Sequence, residues 1–205
     1  KNLTLSTVAN VPIAQVQTPT VCPASPSTIA IISASNNLYD ITWTDQNNVV
    51  VGTGMPLTLY PTVTTTYKAA FALKASFGCP NTIPYESLVT VKVTSDPDLT
   101  LAVSDINLCG TATPSVTISN SQADFIYEIV NSAGASFTPP LKANGTGSDL
   151  NIVIPNTISL VAGQILKVKT TNGNAGCSGI LDDVINLLSG AFDVTCPTFS
   201  ASSVE

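Results

Sequence analysis

The sequence predicts an all-β fold of two tandem β-sandwiches, and three observations support that prediction. Thr, Ser, Val, Asn and Ala dominate the composition, which favours strands and turns over helices. Short runs of alternating apolar residues recur between turns rich in Gly, Pro, Asn and Ser. The whole pattern occurs twice along the 205 residues, so the chain is interpreted as two copies of one domain.

Each copy begins at a cysteine and reaches a second cysteine after several strand signals. A Pro-containing turn, an alternating strand, a polar turn and an aromatic-bearing strand lie between them in that order. The cysteines are Cys22 and Cys79 in the first copy, and Cys109 and Cys177 in the second. Because each pair brackets one copy, we predict the disulfides Cys22–Cys79 and Cys109–Cys177, and we expect Cys196 to be unpaired.

An aromatic residue and a Gly-Thr-Gly turn also recur at matching places. The aromatic residues are Trp43 and Tyr127, and the turns are predicted at 52–54 and 145–147. About seven short strand signals in roughly 90 residues are typical of an immunoglobulin-type sandwich, in which such a side chain packs against the disulfide. Trp43 and Tyr127 are therefore predicted core residues; the alternative for Trp43 is a sugar-stacking platform.

The repeat sets the predicted domain boundaries. Residues 94–100, "TSDPDLT", are expected to be a short linker, because proline and aspartate oppose strand pairing, and so short a linker favours an elongated pair. The predicted divisions are an extra N-terminal strand or linker at 1–11, immunoglobulin-like domains at 12–95 and 96–195, and a tail or the start of a further repeat at 196–205.

The two ends do not fit the repeat. We predict that Lys1 to Val8 form a strand displaced from the first sandwich. Either the fragment belongs to a longer array, or this strand completes the open edge of another copy. The array is favoured, because both ends carry surplus sequence.

One segment has helical rather than strand-like spacing. Ile180, Leu181, Val184, Leu187 and Leu188 recur at helical intervals within residues 178–190. We therefore expect one or two helical turns there.

Charge and cysteine usage exclude several classes of function. The chain has no Arg and no His, and its seven Lys oppose thirteen acidic residues, for a net charge of -6. A nucleic-acid partner is excluded because no basic face can be built from so few cations. No apolar run approaches the roughly 18 residues of a membrane span. Widely spaced cysteines without a Cys-x-x-Cys pair favour disulfides, and hence an extracellular or cell-surface location.

The first copy contains, in order, "ITWTD", "GTG", "TTTYKA" and "FGC". This order resembles the immunoglobulin-like repeats of Bacteroidota surface proteins, which include gliding-motility adhesins and domains of proteins exported by type IX secretion. The second copy is less similar, with Tyr127 in place of the tryptophan. The resemblance implies a secreted or cell-surface domain and brings no catalytic residues with it.

Candidate sites for chemistry are sparse. Without His the usual general base is absent, and no Gly-x-Ser-x-Gly elbow is present. The acidic pairs Asp40 with Asp45, and Asp182 with Asp183, are interpreted as turn residues, so no enzyme is expected. The aromatic residues expected to be exposed are Tyr39, Tyr60, Tyr67, Tyr85 and Phe137.

Calcium is the one ion that the sequence suggests. Asp96, Asp98 and Asp105 lie at the predicted domain junction and could supply oxygen ligands. No spaced Asp-x-Asp-x-Asp-Gly loop accompanies them, so a polar linker is the favoured interpretation and no cofactor is expected.

The function predicted on these grounds is that of a non-enzymatic, adhesive or structural tandem-repeat segment outside the cell. Its expected partners are neighbouring repeat domains or like subunits, with surface glycans as a further possibility. Two alternatives are a carbohydrate-binding or spacer module of a secreted enzyme, and a filament subunit that assembles by strand donation.

Overall fold

The fold was analysed in a computed structural model, which describes residues 12–32, 38–74, 85–108 and 113–188. Every regular element in these ranges is a β-strand, which confirms the all-β prediction. The chain divides into two compact units, Lys1–Ser95 and Asp96–Glu205, here called the first and second units. No helix long and apolar enough to cross a membrane occurs in the described ranges.

The described residues of the first unit form eight strands. They are β1 (Ala14–Val16), β2 (Thr20–Val21), β3 (Ser27–Ile31), β4 (Tyr39–Thr44), β5 (Val50–Thr53), β6 (Leu57–Leu59), β7 (Thr65–Leu73) and β8 (Tyr85–Val93). One sheet has the order β1-β3-β6 and the other has the order β2-β8-β7-β4-β5. Every pairing is antiparallel except that of β2 with β8, which is parallel.

In the second unit, residues 96–108 and 113–188 likewise form eight strands. They are β9 (Ile106–Asn107), β10 (Ser115–Ile118), β11 (Phe125–Asn131), β12 (Ser136–Asn144), β13 (Leu150–Val153), β14 (Ile165–Asn172), β15 (Ser178–Ile180) and β16 (Ile185–Leu188). The larger sheet has the order β12-β11-β14-β16-β9, with β15 also paired to β14. The smaller sheet pairs β10 with β13, and a single bridge joins Val103 to Ile118.

Both units follow one strand order, that of an immunoglobulin-like sandwich. In each, a short strand near the start pairs in parallel with the last strand that the structure describes, β2 with β8 and β9 with β16. The aromatic-bearing strand lies between its two neighbours in the same way, β4 between β5 and β7, and β11 between β12 and β14. The predicted pair of tandem sandwiches is therefore confirmed as a fold class.

Each unit has its own hydrophobic core. In the first unit Ile29, Trp43 and Phe71 are almost fully buried, and alternate residues of β3 and β7 face inward. In the second unit Tyr127 and Leu166 occupy the corresponding interior. The two-residue period of the strands thus divides each sequence between an inner and an outer face.

The helix predicted at 178–190 is wrong. Its described residues form β15 and β16, joined by a turn, and the Leu181 N–H donates to the Val168 carbonyl at 2.9 Å. Ile185 and Leu187 are buried, two positions apart, and their side chains face the core together. Apolar residues four positions apart fit the period of a helix and also the two-residue period of a strand. Pairing of β15 and β16 with β14 selects the strand.

The Gly-Thr-Gly sequences are not equivalent turns. Gly52 lies within β5, opposite Trp43, and only Gly54 is in the turn, where its N–H donates to the Ile41 carbonyl at 2.9 Å. The matching bond in the second unit comes from Gly145, which donates to the Phe125 carbonyl at 2.7 Å. The two sequences are therefore offset by two residues in the structural repeat.

Several predictions concern residues outside the described ranges. These are the displaced strand at Lys1 to Val8, the tail at 196–205, and the three cysteines Cys79, Cys109 and Cys196. They stay predictions.

Replacing Trp43 by Ala should lower the free energy of unfolding by about 3–5 kcal/mol, because a fully buried ring leaves a cavity. Tyr60→Ala is the matched control: this ring is 64% exposed, so its loss should cost less than about 0.5 kcal/mol. Urea unfolding followed by far-UV circular dichroism measures both. Equal effects of the two substitutions would contradict the assignment of Trp43 to the core.

Candidate functional site

Trp43 lies at the centre of the first sandwich. Its side chain has no exposed surface, and Nε1 donates a hydrogen bond to the Gly54 carbonyl at 2.9 Å. Strand β4 positions it between β5 and β7, with Gly52 and Ala69 directly opposite. The ring therefore offers no face on which a sugar could stack.

Tyr127 has the same position in the second sandwich. It is fully buried, and its hydroxyl oxygen accepts the Gln122 N–H at 2.8 Å. Burial is the main cause that raises the pKa of this tyrosine, opposed by the hydrogen bond from Gln122. In both units the polar atom of the buried aromatic side chain thus has a backbone partner.

The other aromatic residues are dispersed. Tyr60 is strongly exposed, whereas Tyr39, Tyr85 and Phe137 are half-buried. The expectation that Tyr67 is exposed is wrong, because its side chain is buried on the inner face of β7. This burial raises the pKa of Tyr67. No stacking platform is formed by the aromatic residues that the structure describes.

Several acidic side chains weighed for chemistry organise turns instead. The Asp45 carboxylate accepts the Asn47 and Val49 N–H groups at 2.8 and 2.9 Å, in the turn between β4 and β5. The Asp183 carboxylate accepts the Val103 and Val184 N–H groups, both at 2.9 Å. The Asp45 contacts match the local hydrogen bonding that makes Asp common in turns, whereas Asp183 also joins two segments distant in sequence.

The three calcium candidates do not converge. The Asp98 carboxylate accepts hydrogen bonds from the Thr100 hydroxyl at 2.7 Å and from the Thr100 N–H at 2.9 Å. Both bonds lower the pKa of Asp98, and the bond from the hydroxyl has the larger effect. Asp105 instead accepts the N–H and side-chain amide of Asn186 at 2.7 and 2.9 Å, while the Asp96 carbonyl accepts an amide N–H of Gln122. Across the described ranges, no group of three or more His, Cys, Asp or Glu residues could hold a metal ion.

Both described cysteines are oxidised. Cys22 and Cys177 are each disulfide-bonded, and Cys177 is buried. Their predicted partners, Cys79 and Cys109, lie outside the described ranges, so the predicted connectivity stays a prediction.

A polar cleft of about 500 Å³ lies where β4 begins and where β5 and β7 end. It is lined by Tyr39, Asp40, Ile41, Thr42, Thr53, Gly54, Met55 and Lys74. The described residues donate no hydrogen bond to the Asp40 carboxylate, which is exposed in this cleft. Carboxylate, ammonium and hydroxyl groups together suit recognition of a polar surface, and no nucleophile is paired with a base among them.

The second unit has a cleft of about 360 Å³ at the same place. Asp124 corresponds to Asp40, since each lies three residues before the buried aromatic residue of its unit, in "DITW" and "DFIY". Thr42 is replaced by Ile126, so the lining differs while the location is kept. This shared feature was not predicted, although "DITW" and "DFIY" at matching places of the repeat are its signal in the sequence.

The comparisons with known proteins identify no family. No protein-family model matches the chain, and no curated protein matches it. A solved structure of Dscam1 isoform 9.44, N-terminal four Ig domains, is similar at a TM-score of 0.40 and 12% identity, over 89% of this chain and 53% of that one. For isoform 6.9 the TM-score is 0.39 with 11% identity, over 88% and 52%. The chain thus spans about half the length of these structures, and likeness at this level carries no conclusion about ligands.

The raised pKa of Tyr127 predicts a loss of stability in alkali. A folded-state pKa above the unfolded value of about 10 gives stability that is fully present below that value and lost as pH rises through the folded pKa. Tyr127→Phe should remove the part of the loss of stability at alkaline pH that comes from ionisation of Tyr127. At neutral pH it should cost about 1 kcal/mol, because the Gln122 N–H loses its acceptor.

Urea unfolding between about pH 8 and about pH 11 measures the difference between the variant and the wild type. Tyr60→Phe, at a strongly exposed ring, is the control. Identical alkaline curves for Tyr127→Phe and the wild type would contradict the prediction.

Proposed function

We propose that the chain is a non-enzymatic segment of an extracellular or cell-surface protein, with an adhesive or structural role that requires it to bear tension. One observation supports this most strongly: in the described part of each unit, the short strand near the start is the parallel neighbour of the last strand. A chain pulled at both ends draws these two strands in opposite directions along their axes.

The backbone bonds between these strands resist such a pull together. In the first unit the Lys92 N–H donates to the Pro19 carbonyl at 2.8 Å, and the Thr94 N–H donates to Val21 at 3.0 Å. In the second unit the Leu108 N–H donates to the Leu188 carbonyl at 3.1 Å. Since the strands slide rather than peel apart, all bonds of a pair are loaded at once. That geometry suits a domain that transmits force.

Disulfides fit the same role. Cys22 follows β2 directly, and it is oxidised. With the proposed pairs Cys22–Cys79 and Cys109–Cys177, each sandwich could release only a short length of chain after its end strands part. Disulfides also belong to oxidising compartments, which supports a location outside the cell.

The absence of enzymatic activity is part of the proposal. Asp45 and Asp183 bind backbone N–H groups, and the described clefts contain no paired nucleophile and base. The finer assignment is to an array of repeats at about 12–95 and 96–195, of the kind found in Bacteroidota adhesins and type IX-exported proteins. It rests on the "ITWTD" and "TTTYKA" segments, which lie largely in β4 and β7. Like domains or subunits are the proposed partners.

The alternatives have less support. Binding of surface glycans has less support because the described residues offer no stacking platform. Trp43 and Tyr127 are buried, and Tyr60 is the one strongly exposed aromatic ring among these residues. Strand donation rests on residues 1–11, which lie outside the described ranges.

Pulling single molecules from their two ends tests the proposal. Lys92→Pro removes the N–H bonded to Pro19, so the unfolding force of one unit should fall while that of the other unit keeps its wild-type value. Lys92→Ala keeps the N–H and is the matched control. If Lys92→Pro leaves both unfolding forces unchanged, the parallel strands do not bear the tension.

A further inference from the structure

The charge of the chain is divided unevenly between the two units. Residues 1–95 contain four lysines against three acidic residues, whereas residues 96–205 contain three lysines against ten acidic residues, a net of -7. The placement of these three lysines therefore decides where positive charge gathers in so acidic a unit.

All three lysines of the second unit project from one face of the larger sheet. Lys142 on β12 and Lys169 on β14 lie directly opposite Glu128, one on each side. Lys167 is two positions from Lys169 and so shares its face. The intervening Val168 is fully buried in the core, so this face is the outer one. We call these three residues the lysine face.

Internal pairing accounts for only part of this charge. Lys142 Nζ lies 3.5 Å from an oxygen of Glu128, whose side chain is 10% exposed. Lys167 and Lys169 form no ion pair with any described carboxylate. One carboxylate among three lysines leaves two positive charges on the face without a partner.

The same sheet carries negative charge near its opposite edge, beside β16 and β9. Asp105 directly precedes β9, and Asp182 and Asp183 lie between β15 and β16; all three are exposed. Backbone bonds hold two of them in place, Asp183 to the Val103 N–H and Asp105 to the Asn186 N–H. We call these three residues the acidic margin.

We infer that the lysine face binds the acidic margin of a second copy of the chain. The complementary charges occur on one sheet, so a two-fold pairing of two copies would form the contact twice. At about 0.1 M salt, repulsion between the net negative chains is screened beyond about 10 Å, whereas touching patches still attract. This inference does not depend on the tension-bearing role.

Sedimentation velocity of the intact chain over a concentration series tests it. The wild type should associate reversibly at about 0.1 M salt and dissociate at about 1 M, where the screening length is about 3 Å. The variant Lys167→Glu with Lys169→Gln keeps Lys142 beside Glu128 and should weaken association about tenfold. Lys92→Glu, at an exposed lysine of the first unit, is the matched control and should leave association unchanged.

A charge swap separates this contact from misfolding. Asp182→Lys with Asp183→Asn keeps an amide oxygen for the Val103 N–H and should also weaken self-association about tenfold. Mixing the lysine and aspartate variants should restore association, because each supplies the charge that the other lacks. Thermal melts of each variant confirm folding.

Two results would overturn the inference. The first is a wild type that stays monomeric at both salt concentrations, and the second is a mixture of the two variants that fails to associate. If the monomeric wild type also binds the polyanion heparin through Lys167 and Lys169, the lysine face serves an anionic polymer instead.

Discussion

Each sandwich depends on burying one aromatic side chain between its two sheets. Trp43 and Tyr127 each carry a polar atom that needs a hydrogen-bond partner once it is buried, and each finds one in nearby backbone, the Gly54 carbonyl and the Gln122 N–H. That bond ties the aromatic-bearing strand to backbone just outside it. In the first unit Gly54 also lines the cleft beside Asp40, so one residue contacts both the buried ring and the cleft.

Side chains along each strand point alternately into the core and away from it. The outward-facing residues of the two units can therefore differ while the inward-facing residues stay apolar. The inner positions of β4 and β11 are large and apolar in both units, as the core requires. On the outer side, the second unit gathers its lysines around Glu128, whereas in the first unit Lys68 pairs with Glu86 at 3.3 Å. One fold thus combines two similar cores with surfaces of different charge.

Much of the fold could be predicted from the sequence, because strands and their buried faces depend on local alternation. The helix expected at 178–190 failed for a physical reason: Ile185 and Leu187 fit a strand period once β14 is available to pair with them. The lysine face could not be predicted, since Lys142 and Lys169 are distant in sequence and meet only through the register of β11 with its two neighbours. The sequence alone gives the net charge of the unit but not the positions of these lysines relative to one another.

Native-state hydrogen exchange of the intact chain in increasing urea tests most directly whether each sandwich is held by its own core. The amides of β3, β4 and β7 should merge on one unfolding isotherm, and those of β10, β11 and β14 on a second, because the two hydrophobic clusters share no residue. Exchange of all these amides along a single common isotherm would contradict two separately closed sandwiches.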